Sequence, residues 1–177
     1  RTIPTEGVSI LVLCRVDAAS GAPDTALVLL NWNGTYNSSI AGSVYGTGAT
    51  QLKTPMDFFL IGTNLYVADT GNGRVSVWTT TGAHSANYSD ATYTTSPVSI
   101  CTDGTTYFYV ADSATGAITK WDTSGNRHAV FGQDRLVDLV PTDIRLLADG
   151  ATLAILTQNG KQIVYYSTAG VYLGATK

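Results

Sequence analysis

Glutamate is nearly missing from this chain of 177 residues: Glu6 is the only one. Helices draw on Glu, Lys, Gln and Leu, whereas turns draw on Asp, Gly, Asn and Ser, so the shortage argues against a helical protein. Charge of either sign is scarce, at 13% of residues against about 25% in an ordinary soluble domain. The 10 basic residues are scattered singly and the formal net charge is −3, which argues against a nucleic-acid partner, because binding the phosphate backbone needs clustered Lys and Arg. Long hydrophobic runs are absent. The apolar stretch Val8–Val16 is interrupted by Ser9 and Arg15 and is too short for a membrane span. Cys14 and Cys101 are the only cysteines, too few for a disulfide scaffold or a zinc site; whether they bond to each other is left open. His84 and His128 are the only histidines, and neither belongs to a His-Glu-x-x-His motif. There is no Gly-x-Ser-x-Gly elbow and no phosphate-cradling loop. The expectation is therefore no enzyme, with no catalytic residue, metal ligand or cofactor.

What the chain has in quantity is Thr, Ser, Gly, Ala, Val and Tyr, with 44% apolar residues to build a core. That is a strand-and-turn composition, and its order is periodic. Three segments align, beginning at Thr54, Ser96 and Val140. Each opens on a proline, at Pro55, Pro97 and Pro141. A turn follows at Gly62-Thr63-Asn64, Asp103-Gly104 and Asp149-Gly150. Then come Tyr66-Val67-Ala68-Asp69, Tyr109-Val110-Ala111-Asp112 and Ala154-Ile155-Leu156-Thr157. An aromatic residue recurs at Trp78, Trp121 and Tyr166, and a glycine at Gly82, Gly125 and Gly170. A constant period of this size marks a repeat architecture.

Within each copy, short strands alternate with turn clusters, as in Arg74-Val75-Ser76-Val77-Trp78. A weaker fourth strand is expected after each glycine, at Ala83–Ser89, Arg127–Phe131 and Val171–Leu173, and no helix is expected. Four strands in a repeat of about 40–50 residues make a propeller blade. The expected fold is all-β: a β-propeller or propeller fragment of about four four-stranded blades, forming a single repeat domain over 1–177. The units run over about 1–48, 49–92, 93–136 and 137–177. The first is degenerate. Leu11–Asp17 is matched to the strand ending at Asp69, Leu27–Trp32 to the strand ending at Trp78, and the first strand of that unit is not discernible.

The run Tyr66-Val67-Ala68-Asp69-Thr70-Gly71-Asn72-Gly73-Arg74-Val75 resembles the signature of the NHL repeat. Ser96–Gly125 is a good copy with Ala117 in place of the arginine, and Val140–Gly170 keeps the spacing but has Thr157 in place of the aspartate. The resemblance covers about two thirds of the chain. It implies a propeller, in a family whose members close with around six blades; four units therefore leave a fragment, a small ring, or a ring completed by another chain. Open strand edges invite pairing with a protein neighbour, including a second copy. The C-terminal 171–177 segment is one such edge, facing either the incomplete first unit or the next molecule. Some propeller enzymes similar to this family hold a metal in the central channel with His, Asp, Asn and Glu, a set this sequence does not assemble.

Candidate residues sort by whether they follow the repeat. Asp69, Arg74 and Asp112 are expected to hold their own turns, with Asp69 and Arg74 paired across one of them. Recurrence favours this over a ring of cation-binding carboxylates. Trp78, Trp121 and Tyr166 are expected to pack between blades rather than to form sugar platforms. Outside the repeat pattern lie Trp32, Tyr36, Tyr45, Tyr88, Tyr93 and Tyr172, candidates for an interface with protein or glycan. Sequons at Asn33, Asn37 and Asn87 point to a secreted or extracellular glycoprotein, and the start at Arg1 reads as a mature or trimmed product. The leading functional expectation is an extracellular, non-catalytic interaction or structural module, of a surface filament for example. A glycan-binding lectin-like propeller and a metal-dependent propeller hydrolase or lyase are the alternatives.

Overall fold

The computed structural model describes residues 46–176, together with the backbone of three strands nearer the N-terminus. Those three strands are β1 (Ile10–Leu13), β2 (Leu27–Leu30) and β3 (Tyr36–Ile40), which pair in that order as one antiparallel sheet. Three four-stranded sheets follow, each a meander in chain order. The first comprises β4 (Pro55–Ile61), β5 (Asn64–Asp69), β6 (Arg74–Thr79) and β7 (His84–Tyr88). The next comprises β8 (Pro97–Thr102), β9 (Tyr107–Asp112), β10 (Ile118–Asp122) and β11 (Arg127–Phe131). The last comprises β12 (Pro141–Leu146), β13 (Thr152–Thr157), β14 (Ile163–Ser167) and β15 (Tyr172–Ala175). The first strands β4, β8 and β12 pack on one another in succession, which makes them the inner strands of neighbouring blades. The all-β, blade-by-blade architecture is the one the repeat spacing implies.

Two apolar layers glue the blades together. Tyr66, Ala68, Val75 and Val77 of the second sheet close on Ile100, Phe108, Val110 and Trp121 of the third. On the other side of the third sheet, Tyr109, Ala111 and Ile118 close on the fourth through Ile144, Leu153 and Tyr166. Sheets buried on both faces need apolar residues at successive positions, which is why Leu65–Ala68 and Phe108–Ala111 are apolar throughout. The repeat glycine is explained by the same packing. Gly125 has φ +89, and a Cβ there would lie 2.4 Å from the Tyr88 ring; Gly170, at φ +88, faces Phe131 in the same way. Each blade's outer-strand aromatic thus lies on the bare backbone of the next blade's turn.

Three features differ from the sequence-based expectation. A short helix, α1 (Gln133–Leu136), interrupts the β pattern, and its Leu136 is fully buried in the layer between the last two sheets. Four residues are too few to leave a helical period in the sequence. The C-terminal strand completes its own blade and not the first unit: β15 is the fourth strand of its sheet, paired to β14. Finally, the register of the first unit is shifted. Every sheet carries a bulge between its last two strands, at Val77/Trp78, Lys120/Trp121, Tyr165/Tyr166 and Leu29/Leu30. Leu30, not Trp32, therefore takes the position of the repeat aromatic, and Ile10–Leu13 takes that of Leu65–Ala68. Strands equivalent to β5, β6 and β7 are thus the three described in the first sheet.

Turn aspartates tie the strand connections. Asp103 accepts the N–H groups of Thr105, Thr106 and Tyr107, and Asp149 accepts those of Ala151 and Thr152 as well as the Thr152 hydroxyl. Slight burial pushes the Asp103 carboxyl up, but its backbone donors outweigh this and hold it below the ordinary carboxylate range; at Asp149 the Thr152 hydroxyl and the backbone donors do the same. A carboxyl more acidic in the folded state stabilises above its unfolded pKa of about 3.8, and that contribution is lost as pH falls through the folded value. The melting temperature, followed by circular dichroism, is expected to drop on acidification below about pH 4, and less steeply in Asp103→Asn. An equal acid response in the variant would remove this turn from the explanation.

Candidate functional site

The inner strands share an irregularity that aims three side chains at one place. The register shifts between Pro55 and Asp57, between Pro97 and Ser99, and between Pro141 and Asp143. A bulge leaves one residue unpaired and redirects the side chains beside it. The residues just past the three bulges meet: Ser99 Oγ lies 2.6 Å from Oδ2 of Asp57 and 2.8 Å from Oδ1 of Asp143. A hydroxyl has one proton and donates to only one of these carboxylates. Arg145, two residues beyond Asp143 on β12, supplies the compensating charge, with guanidinium nitrogens 3.3 Å from Asp57 and 3.0 Å from Asp143. The N–H of Ile100 donates to Asp57, and that of Ile144 to Ser99, so Asp57 and Ser99 each hold the inner strand of the following blade. Ser99 is buried, whereas the Arg145 side chain is 57% exposed. At that exposure its ion pairs contribute at most about 1 kcal/mol to stability, and its planar fork meets solvent.

The cluster thus joins two carboxylates, a hydroxyl and a guanidinium where three blades converge. It suits polar, hydroxyl-bearing groups. It does not suit a metal ion, because the chain's own cation lies between the carboxylates, and no group of three or more His, Cys, Asp or Glu side chains among the described residues could hold one. Reading the sequence missed this cluster. Its signal was positional: Asp57, Ser99 and Asp143 each stand two residues after a repeat proline.

The residues singled out from the sequence lie elsewhere. Asp69 is fully buried; it accepts the Lys53 N–H, the Asn72 amide and, at 2.8 Å, the Arg74 Nε. Arg74 reaches on to the carbonyls of Gly48 and Gln51. Asp112 accepts the N–H groups of Thr95, Ser96, Ala114 and Thr115. Each aspartate therefore ties the end of its blade's second strand to the segment entering the first. At the third copy Thr157 bonds the Gln162 carbonyl instead. Trp78 and Trp121 donate to hydroxyls two residues earlier, Ser76 and Thr119, inside the packed layers. Tyr166 is equally buried, with Val164 at that place, and its hydroxyl has no partner among the described residues.

Of the aromatics assigned to an interface, Tyr88 proves to be part of an inter-blade layer: it stacks on Phe108 and Trp121 and donates to the Thr123 carbonyl. Being outside the sequence pattern did not make it a free surface residue. Tyr93 lies under the Arg127 guanidinium, and Tyr172, 40% exposed, under that of Arg135. Trp32 and Tyr45 lie outside the described residues, and Tyr36 is described only as backbone in β3. Among the sequons, Asn33 lies outside the described residues, Asn37 is in β3, and the Asn87 amide donates to the Ala49 carbonyl. Cys14 also lies outside; Cys101 is buried between the last two sheets, which pushes its thiol up to about 12.

No protein-family model matches the sequence, and no curated protein matches it. Solved structures do. A catalytically inactive virginiamycin B lyase from Staphylococcus aureus with quinupristin is 16% identical, at a TM-score of 0.66, over 85% of this chain and 48% of that one. A streptogramin B lyase structure is 14% identical at 0.65, over 85% and 47%. Hydrazine synthase of Kuenenia stuttgartiensis is 15% identical at 0.58, over 74% and 38%. The chain thus spans about half the length of the lyases or less of the synthase, and what it shares with them at this identity is the propeller fold. These similarities correct the expectation of no enzyme: solved propellers that this chain resembles in fold are themselves enzymes.

Proposed function

We propose that the chain is an extracellular interaction module, a wedge of propeller blades of the NHL-repeat kind that joins other protein through the open face of its last sheet. Leu156 carries the reading. It is 46% exposed, whereas Ala68 and Ala111, which hold the same register position in the preceding sheets, are fully closed by the following blade. Covering a leucine stabilises by about 1.5–3 kcal/mol. Secretion rests on the sequons, with Asn37 on an outer strand. The test is a photo-reactive residue at position 156 of the full chain, expressed through a secretory pathway. Covalent protein adducts on illumination are expected, and their absence would overturn the reading.

A second reading is favoured by the axial cluster and by the enzymes that share this fold: binding or turnover of a hydroxyl-rich ligand, such as a glycan, against Asp57, Asp143 and Arg145. On a glycan array this reading requires a defined signal that Arg145→Ala abolishes. No signal from the wild-type chain would remove it.

A further inference from the structure

We infer that the axial cluster of Asp57, Ser99, Asp143 and Arg145 selects a hydroxyl-bearing ligand that also carries a protonated primary amine, the chemistry of an amino sugar; this rests on the ligand-binding reading of the cluster and names its class of ligand. The cluster is short of donors. The Ser99 hydroxyl stands between two carboxylates, 2.6 Å from one and 2.8 Å from the other, with a single proton to give. The Ile144 N–H is divided as well, 3.0 Å from Asp143 Oδ1 and 3.2 Å from Ser99 Oγ. Ser99 is closed to solvent, at 1% exposure, so bulk water does not enter between its hydroxyl and the carboxylates.

Charge is out of balance in the same sense. Among the described residues, Arg145 is the only cation paired with either carboxylate, 3.3 Å from Asp57 and 3.0 Å from Asp143. Its Nη1 also donates to the Ile144 carbonyl at 3.0 Å, which draws the guanidinium back onto its own strand. Two carboxylates against one guanidinium leave a surplus of negative charge. The second oxygen of Asp57 accepts the Phe58 N–H. Both the hydrogen bonds and the ion pair of Asp143 fall on Oδ1, and no donor among the described residues reaches its Oδ2. The Asp143 side chain is 37% exposed, so the unmet acceptor is also an accessible one.

These two shortages discriminate between ligand classes. A carboxylate or phosphate brings acceptors and sets like charge against Asp57 and Asp143, which disfavours binding. A neutral hydroxyl brings one donor with two acceptors and leaves the charge as it was. An ammonium group brings three donors, no acceptor and the missing positive charge, and its hydrogen bonds to carboxylates are of the stronger, charge-assisted kind. Hydroxyls beside it on the ligand meet the exposed Arg145 fork.

Titration calorimetry of the full chain tests this, comparing short glucosamine oligomers with their N-acetylated counterparts, which keep the hydroxyls and lose the charge. The glucosamine form is expected to bind at least about tenfold more tightly, with the margin narrowing at high salt. Asp143→Asn keeps the shape of the side chain and is expected to remove the preference while the melting transition remains. Asp57→Asn takes out the same charge and stands in for it where Asp143→Asn does not fold. Equal affinity for the two forms overturns the inference and leaves the ligand-binding reading standing. Binding of neither form also overturns it, and a glycan array without signal then removes the reading beneath it. A preference for the amine that survives both substitutions in folded chains places the amine elsewhere and overturns the inference as well.

Discussion

Asp69→Ala is expected to destabilise the protein by about 3–5 kcal/mol, read as a lower midpoint in urea. The cost does not come from losing an attractive pair. Burial pushes the Asp69 carboxyl upward, and the donors pulling the other way, the Lys53 N–H, the Asn72 amide and the Arg74 guanidinium, do not fully offset it. The carboxylate is thus held at a net desolvation penalty. Removing it leaves Arg74, itself only 9% exposed, as an uncompensated buried cation, and it also frees the segment entering β4 through the lost Lys53 bond. Replacing both partners with apolar residues, Asp69→Leu with Arg74→Met, removes the stranded charge and should recover most of the loss. A fall below about 1 kcal/mol in the single variant would mean that water reaches the pair as it does a surface ion pair.

The sequence revealed most about the parts of this fold that repeat. Pro55, Pro97 and Pro141 mark the inner strands because proline suits a strand's first position. The Trp78, Trp121 and Tyr166 series marks the bulged strands, and its constant spacing gave the blades their phase. The first unit is less legible because its second and third strands are further apart in sequence, from Leu13 to Leu27, and Trp32 attracts an equivalence that the backbone gives to Leu30. The axial cluster was hidden for a different reason. Its members come from three blades and are of different types, so no local motif contains them; only a shared offset from the prolines connects them. Tyr88 shows the converse. It has no counterpart of its own kind because the next outer strand carries Phe131 in the same role, and an aromatic in a variable strand reads as surface from the sequence alone.

Phe108→Ala is expected to cost about 3–5 kcal/mol and to change the shape of unfolding as well as its midpoint. Phe108 is fully buried where the second and third sheets meet, with ring centroids 5.2 Å from Tyr66, 5.7 Å from Phe59 and 6.5 Å from Trp121, nearly parallel to the last. A cavity there cannot be filled by one sheet alone, because the rings around it come from both. In a stack where each sheet touches only its neighbours, stability is approximately a sum of unit terms and interface terms. Weakening one interface selectively lets the sheets on either side unfold separately, so the urea transition should broaden or divide into two. Tryptophan fluorescence reports on this directly, since Trp121 lies on the altered layer while Trp78 is buried on the other side of the second sheet. Phe108→Leu keeps most of the volume and should retain a single transition. A variant Phe108→Ala that unfolds in one step at the wild-type midpoint would mean that the blades are not held by this layer.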